Sequence, residues 1–138
     1  MSDAVLVVDD EPFILRSLSF VLERAGFTVL QARNGDEALE LLRDARPRVA
    51  IVDVMMPKRN GYEVCEIVKG DPDLRGTYVI LLTAKGQDSA RDRGIEAGAD
   101  DYMTKPFSPS RIVERVREIF GGTPSPVPVP TTEAGELD

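Results

Sequence analysis

Short apolar runs alternate with amphipathic segments along the first 121 residues of this 138-residue chain. The order reads β1 (4–8), α1 (12–25), β2 (27–31), α2 (35–45), β3 (49–53), α3 (60–69), β4 (78–83), α4 (87–97), β5 (100–104) and α5 (108–120). Few folds accept such a pattern. Parallel strands cannot be joined by tight turns, so each helix crosses back over the sheet and both faces become covered. Local signals agree with the pattern. Pro12 stands at the start of α1, where a missing N–H costs nothing, and Gly26 marks its end. Ile14, Leu15, Leu18, Val21 and Leu22 form its apolar stripe. Asn34 is placed to cap α2, which carries Ala38, Leu39 and Leu42, and Pro47 follows its end. Ser108 is placed to cap α5, with Pro109 next and Ile112, Val113, Val116, Ile119 and Phe120 facing inward.

The strand ends carry the polar chemistry. Val5–Val8 runs into Asp9 and Asp10, Val49–Val52 into Asp53, Tyr78–Leu82 into Thr83, and Asp101–Thr104 into Lys105. In an open parallel sheet ligands bind beyond the carboxyl ends of the strands. One edge therefore collects three carboxylates, a hydroxyl and an ammonium, a set suited to a hard cation and a phosphoryl group. Two adjacent carboxylates repel and raise one another's pKa unless a cation intervenes. Mg²⁺ meets that need, with Mn²⁺ as the substitute. A carboxylate kept ionised in this way, Asp53, is a competent nucleophile toward phosphorus. Lys105 and Thr83 then supply charge and a hydrogen bond to the phosphoryl oxygens. Each residue alone has a plainer reading: Asp9 and Asp10 as helix caps, Asp53 as a loop residue, Thr83 as a small polar strand end, Lys105 as a solvated turn. Their coincidence at the ends of four alternating strands is what argues for a site.

Composition removes several classes of function. There is no histidine, which excludes His-ligated zinc, Ser-His and Cys-His nucleophile pairs, and a histidine phosphocarrier. The formal net charge of −7 opposes direct nucleic-acid binding. The single Cys65 has no internal disulfide partner and falls in the helical pattern Tyr62, Val64, Cys65, Ile67, Val68, where a small buried hydrophobe is expected. No apolar stretch reaches the ~18 residues of a membrane span, and no secretory start precedes β1, so a cytoplasmic location is expected. Residues 1–122 read as one domain. Residues 123–138 read as a proline-rich and acidic tail or linker, expected to be disordered.

The motifs Val7-Val8-Asp9-Asp10-Glu11-Pro12, Val52-Asp53-Val54-Met55-Met56-Pro57 with Asn60-Gly61, Leu81-Leu82-Thr83-Ala84, and Gly98 to Phe107 resemble the receiver domain of two-component response regulators. The resemblance covers residues 3–121, and four motifs in order at this spacing are very specific. It implies a doubly wound (βα)5 flavodoxin-like sandwich with a five-stranded parallel sheet in the order 2-1-3-4-5. It implies that Asp53 is the phosphoacceptor, that Asp10 binds Mg²⁺ directly and Asp9 largely through water, and that the Met55 backbone carbonyl is a further ligand. Thr83 and Lys105 resemble the switch hydroxyl and the phosphate-binding lysine, Tyr102 the switch aromatic, and Lys105–Pro106 a cis peptide bond. Such a domain is not an enzyme in its own right, though it assists its own phosphotransfer and slow dephosphorylation.

Three other classes fit less well. A haloacid-dehalogenase-like phosphatase needs a second acid where Met55 stands, a cobalamin-binding domain needs a histidine, and a pseudo-receiver would lack one of the acidic or basic residues present here. By resemblance the partners are a sensor histidine kinase or phosphotransfer protein, and a second copy through the α4-β5-α5 face. No nucleic acid and no membrane is expected to bind this segment. Phe13, Arg16, Ser17 and Phe20 share one side of α1 and are candidates for docking the kinase, against the plainer reading that the two rings widen the core stripe. Asp101–Arg115 and Glu96–Arg117 are candidate cross-dimer pairs, while Arg91 and Arg111 place like charges where an opposite pair is expected. By the same resemblance, Met55 and Lys85 stand at the positions that line the approach of a hydrolytic water; neither can accept its proton, so a long-lived phosphoryl group is expected.

Overall fold

The computed structural model describes residues 2–56, 59–84, 97–105 and 107–121. The strands are β1 (Ser2–Val8), β2 (Thr28–Ala32), β3 (Pro47–Asp53), β4 (Tyr78–Ala84) and β5 (Asp101–Lys105). The helices are α1 (Pro12–Arg24), α2 (Gly35–Ala45), α3 (Gly61–Gly70) and α5 (Pro109–Phe120). Of the expected α4 only Ala97 is described, and it is helical. The tail, Pro106 with the Lys105–Pro106 bond, and Lys85, Arg91 and Glu96 lie outside the described residues.

All strand pairs are parallel, in the order β2-β1-β3-β4-β5. The parallel sheet expected from the alternation and the flavodoxin-like strand order implied by the resemblance are both observed. The chain steps outward from β1 to β2 and then returns past β1 to β3. That reversal opens a crevice at the carboxyl ends of β1 and β3, the place where doubly wound sheets bind ligands.

The two central strands are buried on both faces, which is why Val5–Val8 and Val49–Val52 contain no polar residue. Their side chains alternate between two cores. Leu6, Val8, Ala50 and Val52 pack with Leu39 and Leu42 of α2 and Val64 and Val68 of α3. Val5, Val7, Val49 and Ile51 pack with Leu15, Leu18 and Leu22 of α1 and Ile112 and Val116 of α5. Each buried Val, Leu and Ile side chain among them contributes about 1.5–3 kcal/mol of burial free energy. This double layer fixes the strand ends that carry the polar residues.

Several local expectations need correction. Strand β2 begins at Thr28, one residue late, because the Phe27 amide bonds back to the Leu22 carbonyl through the turn at Gly26, whose φ is 101°. Strand β3 begins earlier, at Pro47, after Arg46 closes α2 with φ of 48°. Ser108 occupies the N-cap position of α5 but makes no capping bond; its hydroxyl pairs with that of Ser110 at 2.8 Å. Asn34 does cap α2, accepting the Glu37 amide at 2.9 Å. Cys65 is buried, its Sγ donates to the Ala97 carbonyl at 3.4 Å, and burial pushes its pKa up to about 11.

Candidate functional site

The residues that end β1, β3 and β5 converge. Lys105 Nζ lies 3.2 Å from Asp9 Oδ2 and 3.2 Å from Asp53 Oδ1. One carboxylate oxygen each from Asp9, Asp10 and Asp53 falls within 4.8 Å of the others. Asp9 and Asp53 are buried and Asp10 is exposed, so the cluster has an inner wall and an open mouth. The helix-cap reading of the acidic pair is set aside: Glu11 is the N-cap of α1 and no side chain caps that helix. Asp9 instead accepts the Glu11 amide at 2.9 Å, which fixes the turn between β1 and α1.

Burial, followed by the Asp9 carboxylate, raises the Asp53 pKa from 3.8 to about 6, against the pull of Lys105 and a hydrogen bond from the Met55 backbone. Burial lowers the Lys105 pKa, but the Asp53 and Asp9 carboxylates outweigh it and the net direction is upward. A single ammonium against three carboxylates leaves the cluster short of positive charge. The donors are hard oxygens, and octahedral ligands around a small divalent ion stand roughly 3–4 Å apart. The three carboxylates fit such an ion in chemistry and spacing, and exposed Asp10 gives it a way in.

The sheet register places the remaining residues. Asp53 is level with Leu82, so Thr83 lies one residue further along β4. Thr83 is buried and is level with Thr104, while Leu81 is level with Tyr102. Side chains repeat every second residue along a strand, so Thr83 and Tyr102 share one face. The Tyr102 ring is half-buried against the core on that face. Beyond Asp53 the chain is held by the Val54 amide on the Leu82 carbonyl and the Gly61 amide on the Val54 carbonyl, each at 3.0 Å. Met55 sits in this turn with its side chain 67% exposed.

Other candidates fall elsewhere. Phe13 and Phe20 are 71% and 57% exposed, so neither ring widens the core stripe. Arg115 is engaged inside its own chain. Its Nε donates to Asp101 at 3.0 Å and its Nη1 to Glu118 at 2.9 Å, and Nη2 meets the Tyr78 hydroxyl. The Asp101–Arg115 pair expected across a dimer is thus formed within one subunit.

Two features escaped the sequence reading. Asn60 and Glu63 form a reciprocal capping box at α3, each bond 2.9 Å long. Arg59 pairs with Asp36 at the start of α2, Nε to Oδ1 at 3.1 Å. The signal was the Asn-Gly pair, which occurs at 34–35 and again at 60–61, each time at a helix start.

Comparison with known proteins bears on the whole described domain. The family profile of the response regulator receiver domain matches residues 5–117. The chain is 41% identical over 132 residues to a probable transcriptional regulator ycf27 of Cyanophora paradoxa, covering 96% of this chain and 54% of that one. It is 42% identical over 120 residues to the alkaline phosphatase synthesis transcriptional regulatory protein PhoP of Bacillus subtilis, covering 87% of this chain and 49% of that one. The chain spans about half the length of these curated relatives. Among solved structures, the signal receiver domain of a signal transduction histidine kinase from Syntrophus aciditrophicus superposes with a TM-score of 0.82 at 37% identity, covering 99% of this chain and 98% of that one.

Proposed function

This chain belongs to the response regulator receiver domain family, and from that premise we propose that its phosphorylation switch is worked by Asp53, Lys105, Thr83 and the acidic pair Asp9 and Asp10. The observation that carries the assignment is Lys105 Nζ standing 3.2 Å from both Asp9 and Asp53 at the carboxyl edge of the sheet. Asp53 attacks phosphorus of a phosphohistidine on a sensor kinase or phosphotransfer protein. One O–P bond forms, the N–P bond breaks, and the imidazole leaves with the bonding pair and takes up a proton.

Each residue has a part that its position allows. Asp53 must be ionised to attack, and its burial opposes that. Lys105 offsets the cost before transfer and then binds a phosphoryl oxygen. Asp10, Asp9, Asp53 and the Met55 carbonyl would hold Mg²⁺, or Mn²⁺ in its place. The ion, when bound, neutralises charge on the transferring phosphoryl oxygens. Thr83 turns its hydroxyl toward the new phosphate, and Tyr102 on the same face follows into the space it leaves. The α4-β5-α5 surface changes in consequence, and an output domain or partner reads it. The chain hydrolyses its own aspartyl phosphate slowly and is otherwise not an enzyme. Residues 1–122 make up this domain and 123–138 a tail or linker; no helix of the described residues is long and apolar enough to cross a membrane. Phe13, Arg16, Ser17 and Phe20 offer the kinase its docking surface.

The phosphoacceptor is tested directly. Asp53→Asn, which keeps the shape and removes the nucleophilic charge, abolishes the phosphoryl mass increment after acetyl phosphate and Mg²⁺ treatment, with an unchanged circular dichroism spectrum. Wild-type labelling of the variant would place the acceptor elsewhere.

A further inference from the structure

The segment that follows Asp53 is seated on two glycines. A Cβ on Gly61 would stand 2.6 Å from the Asp53 carbonyl oxygen and 2.9 Å from Val54 Cα. A Cβ on Gly35, the first residue of α2, would stand 2.5 Å from Arg59 Cβ and 2.6 Å from the Arg59 carbonyl oxygen. Both gaps are too short for a real side chain, and the atoms opposed are backbone or Cβ, which cannot swing away. Next to the Gly35 seat, Asp36 holds the Arg59 guanidinium at 3.1 Å. Immediately after it the Asn60–Glu63 capping box fixes the entry to α3. The residues that lead into α3, and through Gly61 the start of the chain beyond Asp53, are therefore gripped by α2, a helix that contributes no residue to the carboxylate cluster.

We propose that the N-terminus of α2 is a positioning element for the metal site, with Gly35 and Asp36 seating Arg59 so that Gly61, through its close seat on Asp53 and its bond to Val54, holds Met55 with its carbonyl available to the cation held by Asp9, Asp10 and Asp53. The inference rests on the metal assignment above. It assigns a role to contacts remote from the phosphoryl group, and it divides that role in two. Gly35 acts by shape, since its missing side chain sets how close the turn can lie. Asp36 acts by charge, and with both partners about half exposed its share is the smaller.

The test compares Mg²⁺ affinity with metal-free stability. Mg²⁺ is titrated into the full chain and followed by the amide resonances of Asp10, Val54 and Met55, while metal-free stability is measured by urea unfolding. Gly35→Ala is compared with Gly70→Ala, a second helical glycine with nothing within 4 Å of the added Cβ. Gly35→Ala is expected to weaken Mg²⁺ binding by about tenfold, the low end of what loss of a supporting group costs a metal site, and Gly70→Ala to leave it unchanged. Asp36→Asn should fall between them, with its urea midpoint at the wild-type value. Should Gly35→Ala fail to fold, Arg59→Gly loosens the same seat from the exposed side and should weaken Mg²⁺ in the same direction. Wild-type affinity in Gly35→Ala, or in Arg59→Gly where that variant stands in, overturns the positioning role and leaves the metal site standing. A wild-type protein whose resonances ignore Mg²⁺ overturns both.

Discussion

Lys105 and Asp53 meet at 3.2 Å although their strands are not neighbours, because β4 lies between β3 and β5. The lysine reaches over the end of β4, where Thr83 sits, to touch the carboxylate. Any charge placed on Asp53 is therefore felt at once by β5, which carries Tyr102. Lys105→Ala should still accept phosphate, at a reduced rate, but lose this link. Beryllofluoride, which mimics the phosphoryl group, should shift the Thr83 and Tyr102 resonances in the wild type and much less in the variant. Equal shifts in both would remove Lys105 from the relay.

The raised pKa of Asp53 sets a pH dependence with a definite sign. The folded carboxyl titrates at about 6 against an ordinary 3.8, so the folded state holds its proton more tightly than the unfolded state. Its contribution is complete below 3.8 and is lost as pH rises through about 6. That difference corresponds to about 2–3 kcal/mol. Metal-free protein should therefore melt at a lower temperature at pH 7 than at pH 5, and Asp53→Asn should flatten that difference. Mg²⁺ at ten times its Kd should restore about 1.4 kcal/mol at pH 7 by linkage, and Asp10→Ala should remove most of that gain. A melting temperature indifferent to both pH and Mg²⁺ would contradict the shared carboxylate site.

The phosphoryl group should be long-lived. Met55 is apolar and exposed, and Lys85 is a donor only, so neither can hold a water by accepting its proton. Met55→Asn with Lys85→Glu should speed loss of phosphate, with most of the gain from the glutamate. Decay of labelled protein in a single turnover measures it. A wild-type decay as fast as that of the double variant would show that these positions do not govern access.

A substitution at exposed Phe20 tests docking apart from chemistry. Phe20→Ser should slow transfer from a phosphorylated kinase while leaving labelling by acetyl phosphate unchanged, because the small donor needs no protein surface. Equal slowing with both donors would show that the ring supports the fold rather than a partner.

The alternation of strands and helices and the placing of the polar residues were legible because both follow from patterns of short range, whereas the strand order was implied only by the family resemblance. A run such as Val49–Val52 has to be a doubly buried strand, and a strand of that kind can put Asp53 only at its carboxyl end. The exposure of Phe13 and Phe20 was not legible, since a stripe widened by two rings and a stripe flanked by two rings read alike in sequence. Nor was the engagement of Arg115, whose partners Tyr78, Asp101 and Glu118 come from three elements. The meeting of Gly35 with Arg59 depends on how closely α2 approaches the turn after β3, a tertiary distance that no local propensity encodes.

The C-terminal end of α5 is anchored through its last aromatic residue. The Phe120 ring packs against Phe27 at 5.0 Å between centroids, the Arg48 guanidinium lies 5.4 Å over it, and Arg48 also donates to the Phe120 carbonyl at 3.4 Å. These residues sit at the amino ends of the strands, whereas Asp53 sits at the carboxyl ends. Gly121 thus closes α5 on a fixed pivot, separated from the carboxyl edge of the sheet by the ~18 Å length of a 12-residue helix. Among the described residues, a change at Asp53 would reach Gly121 as a rigid-body tilt of α5 or as a new contact along the flank of the domain.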